Sequence, residues 1–265
     1  MKSLIRSLAH ARGLEISRLD RFGCSPSSDI RQMFRDTPLR VVFDVGANEG
    51  QTLGKYVIDH PYAAIHCFEP YEEAYRKLCN LASRHPRVKT TQCALGQAVG
   101  TQTLWTNAAS VTNSLLPNSP AASQFQPPEM ISPKGSVTIH VSTIDRYCEQ
   151  FGVDFIDLLK IDTQGYDLRV LRGAENTLSQ GRIALIFVEV LFAPLYAGQN
   201  YFHEIYDFLW AHDFRLVNLY AVAHTEASYL CWCDALFVHA DVLARRVSEL
   251  RVKSGAATQS DALVP

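Results

Sequence analysis

Residues 41–50 read VVFDVGANEG. Val41, Val42, Phe43 and Val45 are β-branched or aromatic, the composition of a strand buried on both faces. Gly46 and Gly50 then allow backbone geometry that a side chain would forbid, so the strand is expected to run into a sharp turn. From Gln51 to Asp59, Leu53, Tyr56, Val57 and Ile58 recur at helical spacing. The first N–H groups of such a helix have no partner within it and point back at the turn. Strand, glycine turn and helix start together make a cradle for a polar ligand.

Outward from this unit, strands and helices alternate. YAAIHCFEP (62–70) and RVKTTQCAL (87–95) read as the second and third strands, with a helix over YEEAYRKLCNLASRH between them. FIDLLKID (155–162) and the nearly all-apolar IALIFVEV (183–190) are the fourth and fifth, followed by helices over about 168–178 and 201–211. This order predicts an α/β fold with a parallel sheet and right-handed crossovers. FRLVNLY (214–220) and YLCWCDALFV (229–238) are separated by too few residues for a crossover helix, so they are expected to pair antiparallel and reverse the last strand. Residues 101–142 interrupt the rhythm. TQTLW and VTIHV are expected to form an extra ribbon, and the proline-rich stretch from Asn118 to Gly135 a mobile loop over the site. The expected organisation is an N-terminal helical extension (1–38), one main domain (39–240) and a C-terminal helix end and tail (241–265), frayed after Leu250.

The chain has 265 residues, enough for one sizeable α/β domain. A net charge of −2 and a pI near 6.5 give no broad footprint for nucleic acid, so none is expected as a partner. Seven cysteines, an odd number spread through apolar segments, suit reduced thiols and a cytoplasmic location. No apolar run approaches the ~18 residues that span a bilayer. The first 18 residues place Leu4, Ile5, Leu8 and Ala9 on one helical stripe among basic residues. Such a helix suits docking on the domain, pairing with a second subunit in a homodimer, or an anionic membrane surface; docking is the expectation.

In an open parallel sheet, ligands sit beyond the carboxyl ends of the strands. Three of those ends carry acids: Asp44, Glu69 and Asp162. Glu69 offers two acceptor oxygens of the kind that hold ribose hydroxyls. A dinucleotide site would need Gly-x-Gly-x-x-Gly, but Asn48 stands at the second glycine position and the helix-side glycine is Gly50. The acid at Asp44 would repel a pyrophosphate, and suits a ligand carrying an ammonium and a sulfonium.

FDVGANEG, FEP, LLKIDTQGYDLRVLRGA and CDALFV, in that order over about residues 39–240, resemble the FkbM family of S-adenosylmethionine-dependent methyltransferases. The resemblance implies a Rossmann-like, seven-stranded class I methyltransferase fold with the last strand antiparallel, and S-adenosylmethionine as cofactor. It places Asp44, Gly46, Asn48 and Gly50 around the methionine part and Glu69 on the ribose. Asn113, Ser114 and Asp162 stand beside the cofactor. Asp162, Gln164, Gly165 and Asp167 match a D-x-E-G-x-E motif with two changes, and an amide at Gln164 cannot act as a base.

Methyl transfer to a hydroxyl needs a base, and Asp162, Glu189 and His203 are the catalytic candidates, Asp162 first because it ends a strand beside the cradle. His224 is a weaker one. Asp162 and Asp167 also suit helix capping, and Asn113 and Ser114 an ordinary turn. Phe192, Tyr196, Tyr201 and Phe202 are expected to wall an acceptor pocket. The family implies a hydroxyl of a sugar, polyketide or similar natural product, that is, a small-molecule or glycan acceptor. No paired carboxylates follow the fourth strand, so no obligatory metal is expected. A non-catalytic S-adenosylmethionine-binding scaffold and a nicotinamide dehydrogenase are the rival readings, separable by titration with S-adenosylmethionine and NAD.

Overall fold

In the computed structural model, which describes residues 21–34 and 37–253, β1 (Val41–Val45) lies inside a seven-stranded sheet. Its apolar composition follows from that position. β2 (Ala64–Phe68) pairs with it in parallel on one side and β7 (Ile156–Ile161) on the other, with Phe43 opposite His66 and Leu159. Helices α2 (Gln51–Asp59) and α3 (Glu72–Ala82) make the first two crossovers. β3 (Val88–Thr91), β8 (Ile183–Leu191), β9 (Phe214–His224) and β10 (Leu230–His239) complete the order β3-β2-β1-β7-β8-β10-β9. Only β10 runs against its neighbours. This is the α/β sheet with a reversed final strand that loop length predicted. The strand order reverses between β1 and β7, and a crevice beyond their carboxyl ends is the expected ligand position.

Two expected elements are divided. RVKTTQCAL does not make one strand: Cys93 N–H bonds back to Thr91, and β4 (Ala94–Leu95) leaves for a second sheet of order β4-β6-β5, with β5 spanning Gly100–Asn107 and β6 Pro133–Ser142. Ala94 is buried there with Leu104, Ile139 and Val141 and Leu95 in the main core, whereas the Thr-Thr-Gln run before them has little to bury. β5 and β6 are the ribbon expected from TQTLW and VTIHV.

The helix expected over 168–178 breaks at Gly173 into α6 (Asp167–Arg172) and α7 (Glu175–Ser179), numbered after α4 (Pro128–Ile131) and α5 (Ile144–Phe151). A Cβ at Gly173 would lie 2.0 Å from the Gly96 carbonyl oxygen, so only glycine lets the chain pass there. Asp145 secures the break: its N–H donates to Gly173 O, and its carboxylate accepts from the N–H groups of Asn176 and Thr177 at the start of α7.

The segment 108–132, which overlaps the stretch 118–135 expected as a mobile loop, carries hydrogen bonds along its length. Its ends are tied by Ala108 N to Ser132 O and Ala109 N to Met130 O, and its middle by Ser119 N to Leu195 O and Ala197 N to Pro117 O. The Asn118 amide donates to Asn107 Oδ1 and Ile131 O. Helix α8 (Phe202–Ala211) precedes β9, and α9 (Ala240–Lys253) follows β10.

By contacts the chain divides after Pro38. In the first unit, α1 (Pro26–Met33) starts with proline in its first turn, where the missing N–H costs nothing. The stripe at residues 1–18 and the tail beyond Lys253 lie outside the described residues. Among the described residues no helix is long and apolar enough to cross a membrane.

Candidate active site

The loop leaving β1 takes three left-handed residues in five, Gly46 (φ 75°), Asn48 (φ 46°) and Gly50 (φ 93°). Gly46 and Ala47 both donate to Phe68 O at the end of β2, which folds the loop over that strand end. A Cβ at Gly46 would lie 1.9 Å from the Asp162 carbonyl oxygen, so glycine is needed for β7 to come close. Asn48 tolerates its geometry because its side chain bonds locally, Oδ1 accepting from Glu49 N–H at 2.8 Å. Gly50 has a different reason: its Cα face rests on Leu81 and Leu78 of α3. It packs a helix start and does not line the cavity.

A cavity of about 230 Å³ opens at the switch point, walled by the loops after β1, β2 and β7 and roofed by Ser110–Leu115 of the pinned segment. Gly46, Asn48, Glu69, Asn113, Ser114 and Asp162 line it, together with Lys160 and Gln164. The Glu69 carboxylate is oriented by two backbone donors, Asn48 N to Oε2 at 2.9 Å and Tyr71 N to Oε1 at 2.8 Å. Each oxygen keeps a further lone pair, so two vicinal hydroxyls can still be accepted. Burial pushes the Glu69 carboxyl up to about 7, against the pull of those two N–H groups.

Asp44 does not reach the cavity. It is fully buried beneath the loop, and its charge is met by the chain's own Lys160, 3.0 Å from Oδ1, rather than by a ligand ammonium. Lys160 also donates to Gly46 O at 3.1 Å and stands 3.6 Å from Asp162 Oδ2. Burial opposes its charge, but Asp44 and then Asp162 outweigh that, and its pKa is raised. Sequence reasoning missed Lys160, although a lysine inside the apolar run FIDLLKID is itself a signal: a buried ammonium needs a partner.

Beyond β7 the chain turns through Gln164 (φ 55°) and Gly165 (φ 85°). Gln164 Nε2 donates to Asp162 Oδ1 at 2.8 Å and to Glu189 Oε2 at 2.9 Å, while its Oε1 accepts from the Tyr196 hydroxyl at 2.7 Å. Both faces of the amide are therefore committed. Ser114 Oγ donates to Gln164 O at 2.7 Å, which fastens the roof to this turn. Asp162 caps no helix; its oxygens face Gln164 and Lys160. Asp167 is the structural acid: it accepts from Thr163 and Gly165 N–H and holds the turn against the start of α6. Burial pushes it up to about 6.

The remaining candidates fall elsewhere. Glu189 is not on the cavity wall and reaches it only through Gln164. His203 is exposed on α8, stacked on Tyr201 at 6.4 Å, and His224 is exposed at the end of β9. Helical periodicity points His203 to solvent, which a position in the chain does not reveal. Of the four aromatic residues expected around an acceptor, Tyr196 alone bonds to a cavity residue, and Phe192 packs on Phe202 at 5.5 Å. Asn113 is placed better: Oδ1 accepts from Asn107 N–H, while the buried Nδ2 has no partner and is a donor free for a ligand acceptor.

The residues present fit S-adenosylmethionine. Glu69 can take the ribose hydroxyls, the apolar Val45, Phe68, Leu95 and Leu104 suit an adenine, and Asp162 brings a negative charge to the same cavity. Among the described residues no group of three His, Cys, Asp or Glu is arranged to hold a metal ion.

The chain is 24% identical to the 2-O-methyltransferase NoeI of Sinorhizobium fredii over 181 residues, covering 66% of this chain and 72% of that one. It is 28% identical over 205 residues to the 31-O-demethyl-FK506 methyltransferase FkbM of Streptomyces tacrolimicus, covering 69% and 78%. A solved magnesium protoporphyrin IX methyltransferase of Synechocystis overlays with a TM-score of 0.45 at 9% identity, covering 80% of this chain and 77% of that one. The family model described as the methyltransferase FkbM domain matches residues 44–216, and the chain belongs to this family of S-adenosylmethionine-dependent methyltransferases.

Proposed function

We propose that the protein transfers the methyl group of S-adenosylmethionine to a hydroxyl of a small molecule or glycan, with Asp162 as the base. The observation that carries this is placement: of the three catalytic candidates, only Asp162 lines the cavity. The names of both relatives describe O-methyl transfer, which supports a hydroxyl as the acceptor. The cofactor supplies a methyl group on a good leaving group. The chain's own residues then have two tasks. Glu69 and the β1 loop hold the ligand in one place, and alignment of this kind is worth ~7 to 11 kcal/mol of barrier. Asp162 accepts the hydroxyl proton as the new bond forms, with its carboxylate kept in position by Lys160 and Gln164. The seven cysteines, which form no disulfide, support a cytoplasmic setting.

The test is a screen of sugar and polyketide alcohols with methyl-labelled S-adenosylmethionine, repeated with Asp162→Asn. The variant is expected still to bind cofactor, more weakly for the lost charge, and at saturating cofactor to lose turnover by about 10²- to 10⁴-fold, because an amide keeps the shape and loses the basicity. Normal turnover with a normal melting temperature would remove Asp162 as the base.

A further inference from the structure

Glu189 stands one residue behind the cavity and has no task in the reaction described. It sits on β8 directly across from Asp234 of β10, and Gln164 ties it to Asp162. The groups that act on it are Lys160 of β7, Asp162 just after that strand, Asp167 of α6, Asp234 and Cys233 of β10, and Tyr196. Counting Asp44, five carboxyls meet one buried ammonium, Lys160, which is held by Asp44 and Asp162, and Lys55 acts on Asp234 besides. The cluster is therefore short of positive charge where Asp162 meets the cavity. Burial, then the charges of Asp162, Asp167 and Asp234, hold the Glu189 carboxyl well above the usual carboxylate range.

We infer that Glu189 is a proton reservoir that fits the pocket to a cationic ligand: it gives up its proton when a sulfonium is held beside Asp162 and keeps it when the neutral thioether is held there. The inference rests on the cofactor reading of the cavity, not on the acceptor. Glu189 acts through Gln164 and Asp162 and touches no ligand, so it is a positioning residue. The balance closes over a turnover. One proton leaves Glu189 for solvent as S-adenosylmethionine is bound. At transfer the carbon–sulfur bond breaks, the sulfur keeps the electron pair, the new carbon–oxygen bond forms and the hydroxyl proton passes to Asp162, which gives it to solvent, while Glu189, joined to Asp162 only by the Gln164 amide, takes one back from solvent. The pocket then holds S-adenosylhomocysteine with the reservoir refilled, and the net product is one proton per methyl transferred. The arrangement favours the loaded ligand over the spent one as pH rises, because each proton released couples affinity to pH.

The experiment needs no acceptor. Calorimetric titration of S-adenosylmethionine and of S-adenosylhomocysteine is run near pH 6.5 in buffers of different ionisation enthalpy, which counts the protons released with each. Wild type is expected to release more protons with the sulfonium than with the thioether, and the affinity for the sulfonium relative to the thioether is expected to rise with pH. In Glu189→Gln, an isosteric change, the excess should vanish. Ionisation of the ligand amine is common to wild type and variant and cancels between them. Equal proton counts for the two ligands in wild type, which needs no variant to fold, would overturn the reservoir and leave the cofactor reading standing. Persistence of the excess in Glu189→Gln would also overturn it. Failure of both ligands to bind would overturn the cofactor reading, and this inference with it.

Discussion

At the scale of the residue, Gly46 shows how one position serves both fold and site. Its role follows less from a ligand than from the Asp162 carbonyl, which occupies the place of a Cβ. Gly46→Ala is therefore expected to destabilise the protein by about 3 kcal/mol or more, from backbone strain at positive φ added to a clash with main chain that cannot rotate away. Gly54→Ala in α2 is the control, since a Cβ there meets nothing within 4 Å and alanine favours a helix by ~1 kcal/mol. Urea midpoints of the two variants decide the matter: a Gly46→Ala midpoint equal to wild type would mean that β1 and β7 do not approach as described. The D-x-G-x-x-x-G pattern was legible in the sequence, but the reason for each glycine was not. Gly46 answers to β7, more than a hundred residues away, and Gly50 to the leucines of α3.

At the scale of the element, the segment 108–132 is the part that local sequence describes least well. Its prolines and small polar residues from 118 to 135 read as a mobile cover, whereas a knot of Asn107, Asn113 and Asn118 closes the segment and it is the 110–115 stretch that roofs the cavity. Ser110 reaches across to Asn48 at 3.2 Å. Asn118→Ala leaves Ile131 O and the Asn107 side chain without their donor, a local loss of about 1 to 3 kcal/mol. Amide exchange should quicken across 108–132 while β1, β2 and β7 keep their protection, and affinity for S-adenosylmethionine should fall about fivefold or more. Unchanged exchange in the segment would show that the asparagine knot does not hold it.

At the scale of the whole molecule, the cluster beneath the sheet's carboxyl end makes stability depend on pH. Burial, and then the charge of Asp162, push Asp234 up to about 6. A carboxyl whose folded pKa is raised binds its proton more tightly in the folded state, so it costs nothing below the unfolded value and its full penalty above the folded one. Over the window from about pH 4 to pH 6, wild type should lose stability relative to Asp234→Asn. Above pH 6.5 the variant should be more stable by about 1 to 3 kcal/mol, and near pH 3.5 the two should be equal. Denaturant melts at a series of pH values test this; a difference that stays constant with pH would place Asp234 in water, outside the cluster.

The sequence by itself determined the sheet and the family. Continuous apolar runs can be buried only as central strands, a short connection forces an antiparallel pair, and Glu69 and Asp162 had to lie on the ligand edge because the carboxyl ends of parallel strands share one side. Only the tertiary structure decided which acids face the ligand and which face the protein. Asp44, Asp162 and Glu189 are alike in sequence, each an acid at or near a strand end. Lys160 takes the first, the cavity exposes the second, and Gln164 draws back the third. A carboxylate's role is set by the charges within a few ångströms of it, and those come from β7, β8 and β10, strands far apart in the chain that meet only when the sheet closes.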